Sequence, residues 1–167
     1  MKNKFIKKLL LSLIMCTVIA LLNTNLSEAK TMENKNINEQ LIFEAGDKLP
    51  NDYFIGDAFV KMLVNNQNYD CQVYNVTFEP GARNSWHKHS IGQILLVTNG
   101  EGYYQEKGKP AQHLHVGDVV EISANVEHWH GATANSKFIH IGITPKVSEN
   151  KTEWLEPVSD EEYSKLK

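Results

Sequence analysis

From Leu41 onward the chain is a succession of runs of five to eight residues, rich in Val, Ile, Phe and Tyr, broken by Gly, Pro, Asn and Asp. The runs are AFVKMLV (58–64), CQVYNVTF (71–78), QILLVT (93–98), GYYQE (102–106), AQHLHV (111–116), VVEIS (119–123) and KFIHIGIT (137–144). β-branched and aromatic runs of this length, punctuated by turn residues, predict strands. Their number and spacing predict an all-β sandwich or barrel rather than alternating helices and strands. Alternation puts Tyr74, Val76 and Phe78 on one face of their strand and Val73, Asn75 and Thr77 on the other. Only near the end does a helical signal appear. Ser159 followed by Glu162 is a capping-box pattern, and it predicts a short helix over residues 160–166.

The first 29 residues follow a different plan. Four lysines lie in MKNKFIKK, fourteen uncharged residues follow in LLLSLIMCTVIALL, and Ser27 and Ala29 stand at the −3 and −1 positions of a cut before Lys30. This is the pattern of a secretory signal peptide, and the apolar run falls short of the ~20 residues of a membrane span. The expected location is secreted or periplasmic, with no stable membrane association after cleavage; retention of the segment as an anchor is the alternative. Residues 30–40 are polar and aperiodic and read as a flexible leader, leaving 41–167 as one domain. The whole chain of 167 residues carries a formal charge of −3. Cleavage would remove four lysines and one glutamate, leaving 13 basic and 19 acidic residues, a formal −6. That balance argues against a nucleic-acid partner. It would also leave Cys71 as the one cysteine, so no internal disulfide can form and stability must come from packing.

All seven histidines lie between residues 87 and 140. His87 and His89 are i and i+2, so on a strand they share a face with Cα atoms roughly 6.5 Å apart. Gln93 keeps the same parity, and His128 and His130 form a second such pair. Imidazoles that converge in this way suit Zn, Fe, Ni, Cu and similar ions. Three imidazoles and one amide oxygen leave coordination positions open, as a catalytic metal site requires. His113 and His115 flank Leu114; Leu114 suits the core and the two histidines read as outward-facing. Arg83, ahead of the first pair, could meet an anionic substrate or form a surface salt bridge. Trp86 and Trp129 have the opposite parity to their histidine neighbours and read as packing residues, within the chain or between subunits. Trp154 and Leu155 are expected to dock on the barrel or on a partner chain.

Gly81, His87, His89, Gln93 and Gly100 match the spacing G-x5-H-x-H-x3-(E/Q)-x6-G of the first cupin motif. Gly117, Asp118 and His128 match the second, with Ser123 and Asn125 where Pro and Gly are usual. Asn tolerates the left-handed conformation and is a fair replacement for Gly in a turn. The chain therefore resembles a single-domain bacterial cupin, which implies a double-stranded β-helix (jelly-roll) barrel. The stretches VTFEPGAR, WHKH, GQILLVTNGEGYYQ, EHWHGA, FIHIGI and EWLEPVSDEEY are similar to cupins of the manganese-dependent hydroxynitrile lyase (mandelonitrile lyase) type and to cupins associated with carboxymuconolactone decarboxylases. That resemblance implies His87, His89, Gln93 and His128 as metal ligands, with Mn the expected ion and Fe, Zn, Ni and Cu as alternatives. It also implies a homodimer or higher homo-oligomer, and places His130 and His140 in the cavity.

Gln93 in place of the usual glutamate leaves a divalent ion its full charge, which strengthens it as a Lewis acid toward a hydroxyl or carbonyl oxygen. It also removes a carboxylate that could act as base. His140 or His130 is then the expected proton carrier. The expected function is lyase-type cleavage of a small oxygen-containing substrate, such as a cyanohydrin. Oxygen-dependent cleavage of a phenolic or enolic compound and non-catalytic ligand or metal binding are the alternatives.

Overall fold

The computed structural model describes residues 41–166; the signal-peptide and leader expectations lie outside them. Thirteen strands, one α-helix and a short 3-10 helix (Gln67–Tyr69) are described. The strands and the α-helix are β1 (Asp47–Lys48), β2 (Phe54–Ile55), β3 (Ala58–Asn66), β4 (Cys71–Phe78), β5 (Arg83–Asn84), β6 (His87–His89), β7 (Gly92–Gly100), β8 (Gly102–Glu106), β9 (Gln112–Leu114), β10 (Val119–Ser123), β11 (His128–Ala132), β12 (Phe138–Pro145), β13 (Thr152–Trp154) and α1 (Asp160–Ser164). One sheet has the order β1-β3-β4-β12-β7-β10. The other runs β13-β6-β11-β5-β2, with β8 joining β11 to β9. The pairing is antiparallel throughout, and the two curled sheets form the double-stranded β-helix of a jelly roll.

The alternation expected in CQVYNVTF holds. Tyr74, Val76 and Phe78 turn into the barrel, where Phe78 is 0% exposed and joins Leu95, Tyr104 and Phe138 in the core. Gly142 pairs with Tyr74, and a Cβ at that glycine would lie 2.3 Å from the Tyr74 ring. The missing side chain is what lets that ring lie across the strand. Asn125 takes φ 62°, the left-handed turn that glycine usually fills at this point.

Outside the barrel the C-terminal segment forms a second apolar layer. Trp86, Trp129 and Val158 are buried there with Tyr103, Leu155, Tyr163 and Leu166 against them. The two tryptophans thus pack beneath the chain's own tail. Ser159 caps α1 with both hydrogen bonds of the capping box, and the helix ends at Ser164, short of the expected Leu166. Arg83 does not line the histidine cavity. It is 3% exposed, donates twice to the Val158 carbonyl, pairs with Asp160 at 2.6 Å and lies 4.6 Å from the Tyr163 ring centroid. Its guanidinium is therefore the anchor of the tail. Arg83→Ala would leave the buried Val158 carbonyl unpaired and is expected to cost about 2–3 kcal/mol. A urea unfolding midpoint equal to that of the wild type would overturn this role.

Candidate metal centre

Strand β6 aims His87 and His89 inward, 2% and 5% exposed, while Lys88 between them reaches Glu153 outside. Strand β11 brings His128 directly opposite His87 in register, and their ring centroids are 4.1 Å apart. His89 completes a trio, 5.1 Å from His87 and 5.6 Å from His128 between centroids. Gln93 enters from β7. His130 and His140 line the same cavity as His87, His89 and Gln93, with 4.9 Å between their centroids. A nitrogen of His130 falls within 4.8 Å of nitrogens of His87 and His128, so these three also form a potential ligand group.

The hydrogen bonds around these rings decide which lone pairs are spare. His87 Nδ1 donates to the Ser85 carbonyl at 3.0 Å, and His128 Nδ1 donates to the Val126 carbonyl at 2.9 Å. A carbonyl accepts only, so in both neutral rings Nε2 keeps its lone pair. His89 Nδ1 is held by Thr152 Oγ1 at 3.1 Å. Gln93 Nε2 donates to the Tyr74 hydroxyl at 2.6 Å, which is itself held by Thr144, so the amide oxygen is left over. His89 Nε2, His128 Nε2 and Gln93 Oε1 are buried without a hydrogen-bond partner. Buried acceptors without donors are costly, and a cation among them would satisfy all three. Outer atoms tied to protein and inner atoms free is the arrangement that orients metal ligands.

His130 is differently placed. Both its ring nitrogens lie near Asn84 Nδ2, at 3.1 and 3.4 Å, and its backbone N–H donates to Asn84 Oδ1. His140 is 0% exposed, sits between Phe78 and Phe138, and neither ring nitrogen makes a hydrogen bond.

The profile of the Cupin domain family matches residues 74–142. An (R)-mandelonitrile lyase of Granulicella tundricola is 38% identical over 135 residues, covering 79% of this chain and 98% of the relative. The chain belongs to the cupin family. The crystal structure of a cupin-like protein of Thermotoga maritima is 54% identical with a TM-score of 0.73, covering 75% of this chain and 96% of that one. A DMSP lyase of Ruegeria pomeroyi shares the fold alone, at 17% identity and a TM-score of 0.54 over 75% of this chain and 64% of that one.

In this cupin burial lowers the pKa of all five buried barrel histidines. It holds His87 and His130 well below the usual imidazole range, with neighbouring imidazoles adding to the effect. It lowers His89 against the opposing Gln93 amide, and brings His128 and His140 to about 4. All are neutral at pH 7 and carry lone pairs. Between the unfolded value near 6.5 and the folded value near 4, the unfolded chain binds protons that the folded chain does not. Metal-free protein is therefore expected to lose stability as pH falls through that window, by up to about 1.4 kcal/mol per pH unit for each such histidine. Urea midpoints that stay flat between about pH 7 and about pH 5 would contradict it.

Trp154 docks on the barrel as expected, whereas the contacts that Tyr74, Asn84 and Thr152 make in the site have no signal in the sequence. Alternation puts Tyr74 on one face with Val76 and Phe78, but nothing in the sequence makes it the partner of Gln93. Asn84 gives no motif signal. Thr152 and Trp154 come from the tail strand β13, which pairs with β6 and sets Trp154 opposite His87, 4.8 Å between rings. Nothing in the local sequence announces that pairing. His113 and His115 do face outward, with Leu114 4% exposed between them.

Proposed function

We propose that this cupin is a metal-dependent lyase that cleaves a C–C bond beside a hydroxyl in a small neutral aromatic substrate, of the cyanohydrin type. The observation that carries the reading is the cavity itself. It encloses about 170 Å³, is walled by Phe54, Val60, Phe78 and Trp154, and holds the histidine cluster at one side. Among the described residues no charged side chain lines it, so a carboxylate or ammonium substrate would find no counter-charge from the protein. The likeness to an (R)-mandelonitrile lyase supports the same class.

The spare lone pairs favour His87, His89, Gln93 and His128 as the ligands, and the family resemblance makes manganese the expected ion. When bound, a divalent ion supplies Lewis acidity that lowers the pKa of a hydroxyl at the site. His130, the rival for a ligand place, is committed to Asn84. That leaves His140 to move the proton: its ring is neutral, buried and without a competing donor. It accepts the substrate's hydroxyl proton; the O–H pair becomes the second bond of the aldehyde C=O. The C–CN bond breaks, cyanide leaves with its electron pair, and the imidazolium returns the proton to give hydrogen cyanide. Phe54, Phe78 and Trp154 hold the aromatic ring and exclude water. Export, and assembly as a homodimer or higher homo-oligomer, belong to the same reading.

The test is metal analysis of protein purified without added metal, then turnover of mandelonitrile followed by benzaldehyde release. Release that chelation abolishes and Mn²⁺ restores is the expected result. No release from metal-loaded protein, with oxygen uptake on phenols instead, would replace the lyase reading with a dioxygenase.

A further inference from the structure

A second group of metal-ligating side chains lies on the outer surface, independent of the barrel site. Ligand atoms of Glu101, His113 and His115 all fall within 4.8 Å of one another. Glu101 sits in the link between β7 and β8, and its backbone N–H is fixed by the Lys137 carbonyl at 2.9 Å. Strand β9 pairs with β8 and sets His113 opposite Tyr103, whose ring lies 5.2 Å from the imidazole. His115 follows two residues on with its ring 4.4 Å from that of His113. Its position is set by a tight turn in which Asp118 accepts from the His115 N–H at 2.8 Å. The three side chains are thus presented by anchored backbone on one side of a hairpin.

We propose that Glu101, His113 and His115 form a surface site for a borderline divalent cation such as Zn²⁺. Two imidazoles and one carboxylate are a donor set that zinc accepts, with water in the fourth position. The spacing fits. Two ligands of a tetrahedral zinc, each about 2.0–2.1 Å from the ion, stand about 3.3 Å from each other. His113 Nε2 and Glu101 Oε2 stand 3.2 Å apart. The side chains are about half exposed, so an ion can reach them from solvent without opening the barrel.

Zinc is titrated by calorimetry into the full-length protein and into a His113→Gln/His115→Gln variant whose circular dichroism melt matches the wild type. The wild type is expected to bind one more equivalent per chain than the variant. Equal stoichiometry in the two proteins would overturn the site and leave an ordinary surface ion pair. A readout that needs no variant is the ring ¹H–¹⁵N spectrum of the wild type. The His113 and His115 resonances should shift on zinc addition, and resonances that stay in place would likewise overturn the site.

Discussion

His128→Ala is expected to empty the barrel of metal. His128 is fully buried, faces His87 across the β6–β11 pairing, and presents an Nε2 that no protein donor satisfies. Its other nitrogen is tied to Val126, so the ring cannot turn away. Losing an outer partner of a metal ligand costs about 10–100-fold in affinity, and losing the ligand itself should exceed that. Metal content after dialysis should fall from about one equivalent per chain toward none, with turnover falling in proportion. The fold should persist, because Phe78, Leu95 and Phe138 hold the core and the His128 ring meets it only at Tyr104. Full occupancy in the variant would remove His128 from the ligand set and turn attention to His130, whose nitrogen shares the 4.8 Å grouping.

His140→Ala is expected to behave in the opposite way: metal retained, turnover lost. The ring lies in the cavity at 4.9 Å from His130 and makes no hydrogen bond of its own. A positioned proton carrier contributes about 10²–10⁴-fold to rate, so kcat should drop within that range while metal content stays near that of the wild type. Loss of metal would make His140 a ligand. An unchanged kcat would shift proton transfer to His130, despite the hold that Asn84 has on it.

Much of the scaffold was readable because strand formation is local. CQVYNVTF, GYYQE and VVEIS begin and end in the structure where their turn residues placed them. AQHLHV was read too long: only Gln112–Leu114 is strand, since Asp118 turns the chain back at His115. The two- and three-residue strands β1, β2, β5 and β13 have no pattern of their own and exist through their partners. Arg83 shows the same limit. Its charge suggested a ligand or a surface pair, but a carbonyl 75 residues away buries it under the tail.

The sequence by itself determined that His87, His89 and Gln93 share a parity, that His128 and His130 form a second pair, and that the chain is built of short strands. Those are consequences of a two-residue repeat, which any extended segment obeys. Only the tertiary structure decided which rings meet, which nitrogen of His87 and of His128 is spare, and that Tyr74, Asn84, Thr152 and Trp154 complete the cavity. Those depend on register between strands far apart in the chain, and a slip of one residue would reverse every face.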